Sequence, residues 1–257
     1  MTPVLLEKVK EELRALRLKD MAEALDDALE HAHDKSHLQV ISRLVEIQLA
    51  AVKNRSVKRR IKNAGLSQNM TFDSFDWNFQ PGLNTEQLRN LKDLSFILNR
   101  QPLIIIAKTG AGKTHMASAL GIEACQAGFK VHFESFQGLL ARLYATLADD
   151  STDEMISRLA RLDLLIIDHV NHIRTKPEYP SLLLDLVSAC HEKLSFIITT
   201  AISFEEWALA LGNASITHAI IDRLMHRAHV INIRNALSYR TQGPHAPQVN
   251  LQENHPS

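Results

Sequence analysis

The sequence of 257 residues predicts an α/β fold, in which a parallel five-stranded sheet is flanked by helices and preceded by a small all-helical domain. The first observation is that short apolar runs alternate with helix-length stretches from about residue 84 to residue 234. This alternation is typical of parallel sheets, because parallel strands are usually connected through a helix. The second observation is the helical spacing of apolar residues within residues 3–65. With 45% hydrophobic and 23% charged residues, the chain can bury a core of this size.

The N-terminal region is predicted to be helical because its apolar residues recur at steps of three and four. Ser36 is a suitable N-cap for the second run of such residues, and Gly65 is a suitable stop. We therefore assign residues 1–66 to a helical domain that binds DNA or a protein partner. The apolar positions that define the two runs are Leu5, Leu6, Val9, Leu13, Leu16, Met21, Ile41, Leu44, Val45 and Leu49.

A cluster of basic residues near the end of this region occupies ten positions and contains no acid. Lys+Arg and Asp+Glu both total 29, so the global charge indicates no partner, and any affinity for nucleic acid depends on local clustering. Two interpretations remain open: a solvated helix face, or a contact with the phosphate backbone of DNA. The candidate DNA-binding residues are Lys53, Arg55, Lys58, Arg59, Arg60 and Lys62.

Residues 67–242 are predicted to form one α/β domain, and residues 243–257 a disordered tail. The domain begins with a connector over residues 71–82 that carries four aromatic side chains, and a helix follows over roughly 84–99. Continuous apolar runs then indicate strands that helices cover on both faces. The predicted strands are Leu103–Ala107, Val131–Ser135, Leu164–Asp168, Phe196–Thr200 and Val230–Arg234.

A glycine-rich loop connects the first strand to the next helix. Glycines let the chain curl so that several backbone N–H groups face one phosphate, and the helix N-terminus adds partial positive charge. Lys113 is expected to reach the β- and γ-phosphates, while Thr114 places its hydroxyl on Mg²⁺. The sequence therefore predicts an ATP-binding site. Its residues are Thr109, Gly110, Ala111, Gly112, Lys113 and Thr114.

The second half of the predicted site is the acid that ends a buried strand. Asp168 follows the apolar run Leu164–Ile167, so we expect its carboxylate at the carboxyl edge of the sheet. There it would hold Mg²⁺ together with Thr114. The two cysteines, Cys125 and Cys190, fall in predicted helices outside any metal-binding spacing, so buried thiols are expected.

Two positions beside this site depart from what hydrolysis requires. Many ATPases of this architecture place a glutamate after the Mg²⁺-binding Asp to activate water, and this chain has His169 there. The strand Phe196–Thr200 is followed by Ala201, where a polar side chain normally contacts the γ-phosphate. Thr199 or Thr200 could replace it, depending on which way each points. The sequence predicts ATP binding with slow or absent hydrolysis.

The chain resembles the IstB-type transposition helper ATPases, which are related to the DnaC-like helicase loaders of the AAA+ superfamily. The resemblance extends over residues 5–242. The chain departs from the family pattern at Ala107 (usually Gly), His169 (usually an acid) and Ala201 (usually Asn). The resemblance rests on Phe79-Gln80-Pro81-Gly82, the loop Thr109–His115, Leu164–Asp168, Ser203-Phe204-Glu205-Glu206-Trp207, Ile221–Leu224 and Ser238-Tyr239-Arg240.

The resemblance implies a helper protein of an insertion sequence. Such helpers bind double-stranded DNA, form homo-oligomers with ATP and Mg²⁺, and recruit or stimulate the transposase of the same element. It also implies that Arg223 acts as an arginine finger on the nucleotide of a neighbouring subunit. A local helix contact is the alternative for Arg223, and another arginine could be the finger.

Two other functions remain open. The same fold would suit a replicative-helicase loader, in which the N-terminal stripe docks a helicase. A DNA-binding scaffold that is insensitive to nucleotide is the other alternative. The sequence has neither an apolar run of membrane-spanning length nor the apolar core of a signal peptide, so a cytoplasmic protein without membrane partners is expected.

Overall fold

The computed structural model describes residues 3–30, 37–77, 79, 85–171, 176–233 and 237–239. The chain divides into two compact units, Met1–Arg59 and Arg60–Ser257. The proposed N-cap Ser36 and the predicted tail 243–257 lie outside the described residues.

The first unit consists of helices α1 Pro3–Ala15, α2 Lys19–Glu30 and most of α3 His37–Asn63. Its core contains Ala22, Leu25 and Leu44. The amide group of Met21 donates to Gln48 Oε1 at 3.2 Å, which joins α2 to α3. The predicted apolar stripe of α3 is divided between two faces, because Leu44 is buried while Ile41, Val45 and Leu49 are exposed. The end of α3 agrees with the predicted stop, since Gly65 has a positive φ of 79°.

The second unit contains a five-stranded sheet whose paired strands are all parallel, in the order β2-β3-β4-β1-β5. This confirms the predicted fold class. The elements are α4 Thr85–Asn90, α5 Ser95–Leu98, β1 Leu103–Ala107, α6 Lys113–Ala127, β2 Val131–Ser135, α7 Phe136–Ala145, α8 Thr152–Leu159, β3 Leu164–Val170, α9 Tyr179–Cys190, β4 Ser195–Thr200, α10 Phe204–Leu211, α11 Ala214–Met225 and β5 His229–Ile233.

The helix predicted over 84–99 is interrupted. One 3-10 turn, Leu91–Asp93, follows α4, and Leu94 then adopts a left-handed conformation with φ of 61°. The carboxylate of Asp93 accepts a hydrogen bond from the backbone N–H of Ser95 at 2.8 Å, and this contact starts the separate helix α5. The sequence gives no sign of this break, because Leu91 and Leu94 are both buried and so keep the apolar spacing of a helix.

The strands lie close to their predicted positions, with one informative difference. β3 continues past Asp168 to Val170, and two of its residues, Asp168 and His169, oppose the single residue Thr199 of β4. This is a β-bulge, in which an extra residue bends one strand of a pair. Because the strands are parallel, the carboxyl ends of β1, β3 and β4 meet at one edge of the sheet.

Candidate nucleotide-binding site

The glycine-rich loop joins β1 to α6 at the carboxyl edge of the sheet. Gly110 and Gly112 have φ values of 84° and 87°, a backbone conformation that side chains disfavour. A Cβ atom on Gly112 would lie 2.8 Å from the Phe75 ring, and one on Gly110 would collide with the Ser238 hydroxyl. Gly112 is also the N-cap of the 15-residue helix α6. The loop therefore places its N–H groups at a helix N-terminus, which is the arrangement that binds phosphate.

The side chain of Lys113 lies across this loop and is only 5% exposed. Its ammonium group donates to the carbonyl oxygens of Ala107 at 2.6 Å and Lys108 at 2.9 Å. A buried cation held by neutral carbonyl groups is well placed to interact with an anion that enters the loop.

The carboxylate of Asp168 lies beside the start of α6, as the sequence analysis expected. The hydroxyl group of Thr114 donates to it, at 3.0 and 3.1 Å from its two oxygens. Asp168 is 8% exposed, so this carboxylate belongs to the floor of the site rather than to the open surface. A hydroxyl and a carboxylate are oxygen ligands of the kind that Mg²⁺ prefers.

The hydroxyl group of Thr199 supports both residues of the bulge. It donates to Asp168 Oδ1 at 2.5 Å and accepts a hydrogen bond from the backbone N–H of His169 at 2.9 Å. His169 has a φ of 71°, and its side chain is exposed at the rim of the site. The sequence suggested Thr199 only as a possible contact for the γ-phosphate, so this supporting role was missed.

At the end of β4, both threonine side chains are buried and bonded within the sheet. Thr199 and Thr200 are both 0% exposed. The Thr200 hydroxyl group donates to the carbonyl oxygen of Val170 at 2.9 Å and accepts a hydrogen bond from Trp207 Nε1 at 3.2 Å. Neither threonine therefore replaces the polar side chain that Ala201 lacks. The bond from Trp207 Nε1 to Thr200 joins α10 to the sheet.

An apolar wall, which the sequence analysis did not predict, stands beside the phosphate loop. A cavity of about 380 Å³ is lined by the loop Thr109–Thr114, by His169 and by an aromatic group. Two contacts hold the walls of this cavity together. The backbone N–H of Tyr239 donates to the carbonyl oxygen of Gly110 in the loop at 3.0 Å, and Nε2 of His115 in α6 lies 2.7 Å from the carbonyl oxygen of Thr71 in the connector. The side chains of the wall are Met70, Phe75, Phe79 and Tyr239. The aromatic spacing of the connector was the available signal.

Arg223 lies far from this site within its own chain. It is in the last turn of α11, and its guanidinium group donates to the carbonyl oxygen of Ala219 at 2.9 Å. α11 leads into the amino end of β5, whereas the phosphate loop leaves the carboxyl end of β1. Arg223 therefore cannot contact a nucleotide in the phosphate loop of its own chain, and could contact only one bound to another molecule.

The basic cluster of α3 separates into two groups. Arg55 binds both carboxylate oxygens of Asp20, at 2.9 and 2.7 Å, and Arg60 Nε donates to the carbonyl oxygen of Cys125 at 2.8 Å. These two side chains have structural contacts. The remaining side chains, all exposed, are those of Lys53, Lys58, Arg59 and Lys62.

The comparisons with known proteins agree with this architecture. The model of the IstB-like ATP binding protein family matches residues 11–246. The ATP-binding protein of insertion sequence IS5376 from Geobacillus stearothermophilus is 29% identical over 236 residues, which cover 91% of this chain and 94% of the relative. The ATP-binding protein of insertion sequence IS21 from Pseudomonas aeruginosa is 29% identical over 230 residues, which cover 89% and 86%.

Solved structures share the fold of about two thirds of this chain. The DnaC helicase loader aligns with a TM-score of 0.55 at 18% identity, over 65% of this chain and 98% of that chain. DnaI aligns with a TM-score of 0.55 at 16% identity, over 65% and 94%. Within the described ranges, no helix has the length and apolar character needed to cross a membrane. Because the family model matches residues 11–246, nearly all of this sequence, the chain belongs to the IstB-like ATP-binding proteins of insertion sequences.

Proposed function

We propose that this protein binds ATP with Mg²⁺, assembles with further copies on target DNA, and recruits or stimulates the transposase of its insertion sequence. The observation that carries the proposal is the pairing of Thr114 with Asp168 beside the glycine-rich loop. This pairing brings a hydroxyl and a carboxylate together beside the loop, which supports a site for Mg²⁺ and a triphosphate at this edge of the sheet.

The residues present fit this ligand. The loop glycines have the positive φ values that let the chain curl, and Phe75 and Ser238 pack against them where a Cβ atom would collide. Lys113 supplies a buried positive charge. Thr114 and Asp168 would hold Mg²⁺, which neutralises charge on the phosphates when it is bound. The aromatic wall of Phe75, Phe79 and Tyr239 suits the flat face of a nucleotide base.

Hydrolysis at this site is proposed to be slow. His169 stands at the rim where a carboxylate would activate water, and the hydroxyl groups of Thr199 and Thr200 are bonded inside the sheet. ATP then acts chiefly as an assembly ligand, because any ligand that binds only the assembled form shifts the equilibrium toward it.

DNA binding is proposed to involve the exposed cations of α3. Clustered Lys and Arg residues release counterions from DNA, which gives a sequence-independent affinity. Arg55 and Arg60 are less suited to this role, because each already bonds an oxygen of the protein. The proposal therefore centres on Lys53, Lys58 and Arg59, with Lys62 one turn further along the same helix.

Sedimentation velocity tests the whole proposal. With ATP, Mg²⁺ and duplex DNA, the wild type should form large complexes, and Lys113→Ala should remain small under the same conditions. Assembly of equal extent without nucleotide would contradict the proposal and favour the nucleotide-insensitive scaffold.

A helicase loader is the second candidate, because the fold is shared with the DnaC loader. The exposed apolar residues Ile41, Val45 and Leu49 on α3 offer a surface where a protein partner could dock. Pull-down with a replicative helicase and, separately, with the transposase of the same element discriminates between the two functions.

A further inference from the structure

His115 joins the connector to the helix that begins at the phosphate loop. It lies in the first turn of α6, directly after Lys113 and Thr114. Its Nε2 atom is 2.7 Å from the carbonyl oxygen of Thr71 and 3.2 Å from the hydroxyl oxygen of Ser74. These two connector residues precede it by 44 and 41 positions in the sequence, so both contacts tie distant segments together at one ring nitrogen.

The chemistry of the two contacts shows which ring nitrogen carries a hydrogen atom. A carbonyl oxygen can only accept, so Nε2 of His115 donates to Thr71. The hydroxyl group of Ser74 donates to the carbonyl oxygen of Asn69 at 2.7 Å, so its oxygen can accept from the same Nε2–H group. A side chain without a donor at position 115 would therefore lose both contacts.

The imidazole ring of His115 also contacts Phe75. Their ring centroids are 5.2 Å apart, and the ring planes meet at 77°. Trp77 makes a similar edge contact with Phe75, at 5.1 Å and 68°. Edge-to-face pairs are favourable at centroid distances of about 4.5–7 Å. The orientation of the Phe75 ring is thus held by one ring from α6 and one from the connector.

Phe75 belongs to the aromatic wall of the site. Its side chain lines the cavity beside the phosphate loop, and a Cβ atom on Gly112 would lie 2.8 Å from its ring. The residue is half-buried, so part of the ring remains accessible from the cavity. An aromatic side chain in this position can stack on a nucleotide base, because every base has a π-face.

The distance between the wall and the loop decides whether one nucleotide can reach both. Base and phosphates are linked through a single ribose, so the surfaces that receive them must be held at a matching separation. The loop follows β1, whereas the connector precedes α4. Because these segments are separate in the sequence, contacts between them must set that separation. His115 supplies such contacts from the residue next to Thr114.

We propose that His115 is a positioning residue for the nucleotide base. By holding Thr71 and Phe75 against the first turn of α6, it sets the aromatic wall at the distance from the phosphate loop that one nucleotide spans. The inference rests on the proposed nucleotide site and assigns the placement of its base-binding half to one side chain. A residue that only stabilised the fold would affect the binding of phosphate and of nucleotide alike.

Isothermal titration calorimetry with two ligands, each with Mg²⁺, tests this role. ADP contains a base and inorganic pyrophosphate does not. Both lack the γ-phosphate, so ATP-dependent assembly does not contribute to the measured affinity. His115→Leu should bind ADP about tenfold more weakly than wild type, because the loss of one base–aromatic stacking contact typically has an effect of that order. Its affinity for pyrophosphate should be that of wild type.

Two further variants separate the hydrogen bond from other effects of the substitution. His115→Gln places an amide donor at a similar reach, so it should recover most of the affinity for ADP. A glutamine variant as weak as the leucine variant would contradict the proposal. His218→Leu is the matched control, because it makes the same replacement at an exposed position of α11. It should bind both ligands like wild type.

A double-mutant cycle tests whether His115 acts through Phe75. Phe75→Leu should show the same selective loss of affinity for ADP. Because both changes affect the same stacking contact, His115→Leu/Phe75→Leu should bind ADP no more weakly than either single variant. Losses that multiply, to about a hundredfold, would mean that the two residues act independently, and the positioning role would be overturned.

The outcomes distinguish this inference from the proposed function. Wild-type protein that binds neither ligand overturns both. ADP binding that Lys113→Ala abolishes and His115→Leu leaves unchanged overturns only the role of His115, as does an equal loss of affinity for ADP and pyrophosphate. If circular dichroism shows that the leucine variant does not fold, His115→Phe replaces it. This variant keeps a ring beside Phe75 and lacks the donor. It should show the same selective loss, and wild-type affinity for ADP would again overturn the inference.

Discussion

Replacing Thr199 with valine tests how Asp168, the carboxylate proposed to bind Mg²⁺, is held. The change keeps the side-chain volume and removes one hydroxyl group. That hydroxyl donates to Asp168 at 2.5 Å and accepts from the amide of His169 at 2.9 Å. In Thr199→Val, the carboxylate loses a charge-assisted hydrogen bond, and the amide loses its acceptor inside the bulge.

The expected magnitude follows from these two bonds. Hydrogen bonds to charged groups contribute about 1.5–3 kcal/mol, and an unsatisfied buried group costs about 1–3 kcal/mol. Asp168 keeps its bond to Thr114, so part of the loss is recovered by relaxation. We expect the unfolding free energy to fall by about 2 kcal/mol, which for a chain of this size lowers the melting temperature by roughly 4–8 °C.

The assay that separates function from stability is a Mg²⁺ titration of ATP-analogue binding. Thr199→Val should need about tenfold more Mg²⁺ for half-maximal binding, because about 1.4 kcal/mol of carboxylate positioning corresponds to that factor. Binding without Mg²⁺ should be unchanged. Thr199→Ser retains the hydroxyl group and should restore the wild-type titration. A valine variant with a wild-type Mg²⁺ response, or a serine variant as impaired as valine, refutes this reasoning.

Three further predictions concern other parts of the molecule. His169→Glu should raise the steady-state rate of phosphate release about tenfold or more, since a positioned base typically contributes 10²–10⁴-fold; fast wild-type turnover that this change does not alter contradicts it. Lys58→Gln/Arg59→Gln should reduce the slope of log affinity for duplex DNA against log salt by about 1.8, and an unchanged slope would place the contact elsewhere. Cys125 and Cys190 are fully buried, and burial raises the pKa of both thiols to about 11. Because the thiolate is the reactive form, neither should be alkylated by iodoacetamide at pH 8 in the folded protein, and rapid labelling in mass spectrometry would contradict this.

The strands could be predicted because each one corresponds to a short run of mostly apolar residues in the sequence. Leu103–Ile105 and Leu164–Ile167 are buried on both faces, so every residue in them is apolar. The phosphate loop is equally local, since its glycines are required by the φ values and contacts at Gly110 and Gly112. Such features can be predicted because they are determined by residues that are close together in the sequence.

Long-range contacts were not predictable in the same way. Arg55 and Arg60 belong to one basic run, yet one binds Asp20 and the other the carbonyl of Cys125, which lies 65 residues further along the chain. The orientation of Thr199 depends on a bulge in the neighbouring strand, and nothing in Phe196–Thr200 indicates that bulge. The buried thiols were correctly expected because both positions lie within apolar helices.

The bulge in β3 has a consequence for how this protein can diverge. At the bulge, β3 has one residue more than the neighbouring strand β4. His169 is in this bulge: its side chain is exposed, and its backbone N–H donates to the hydroxyl group of Thr199. The imidazole group takes part in neither the core packing nor the hydrogen bond between Thr199 and Asp168. The positive φ of 71° at this position favours residues that tolerate the left-handed region, so a replacement there would act mainly through the local backbone. The slow hydrolysis proposed above would therefore depend on a side chain that contributes little to the core.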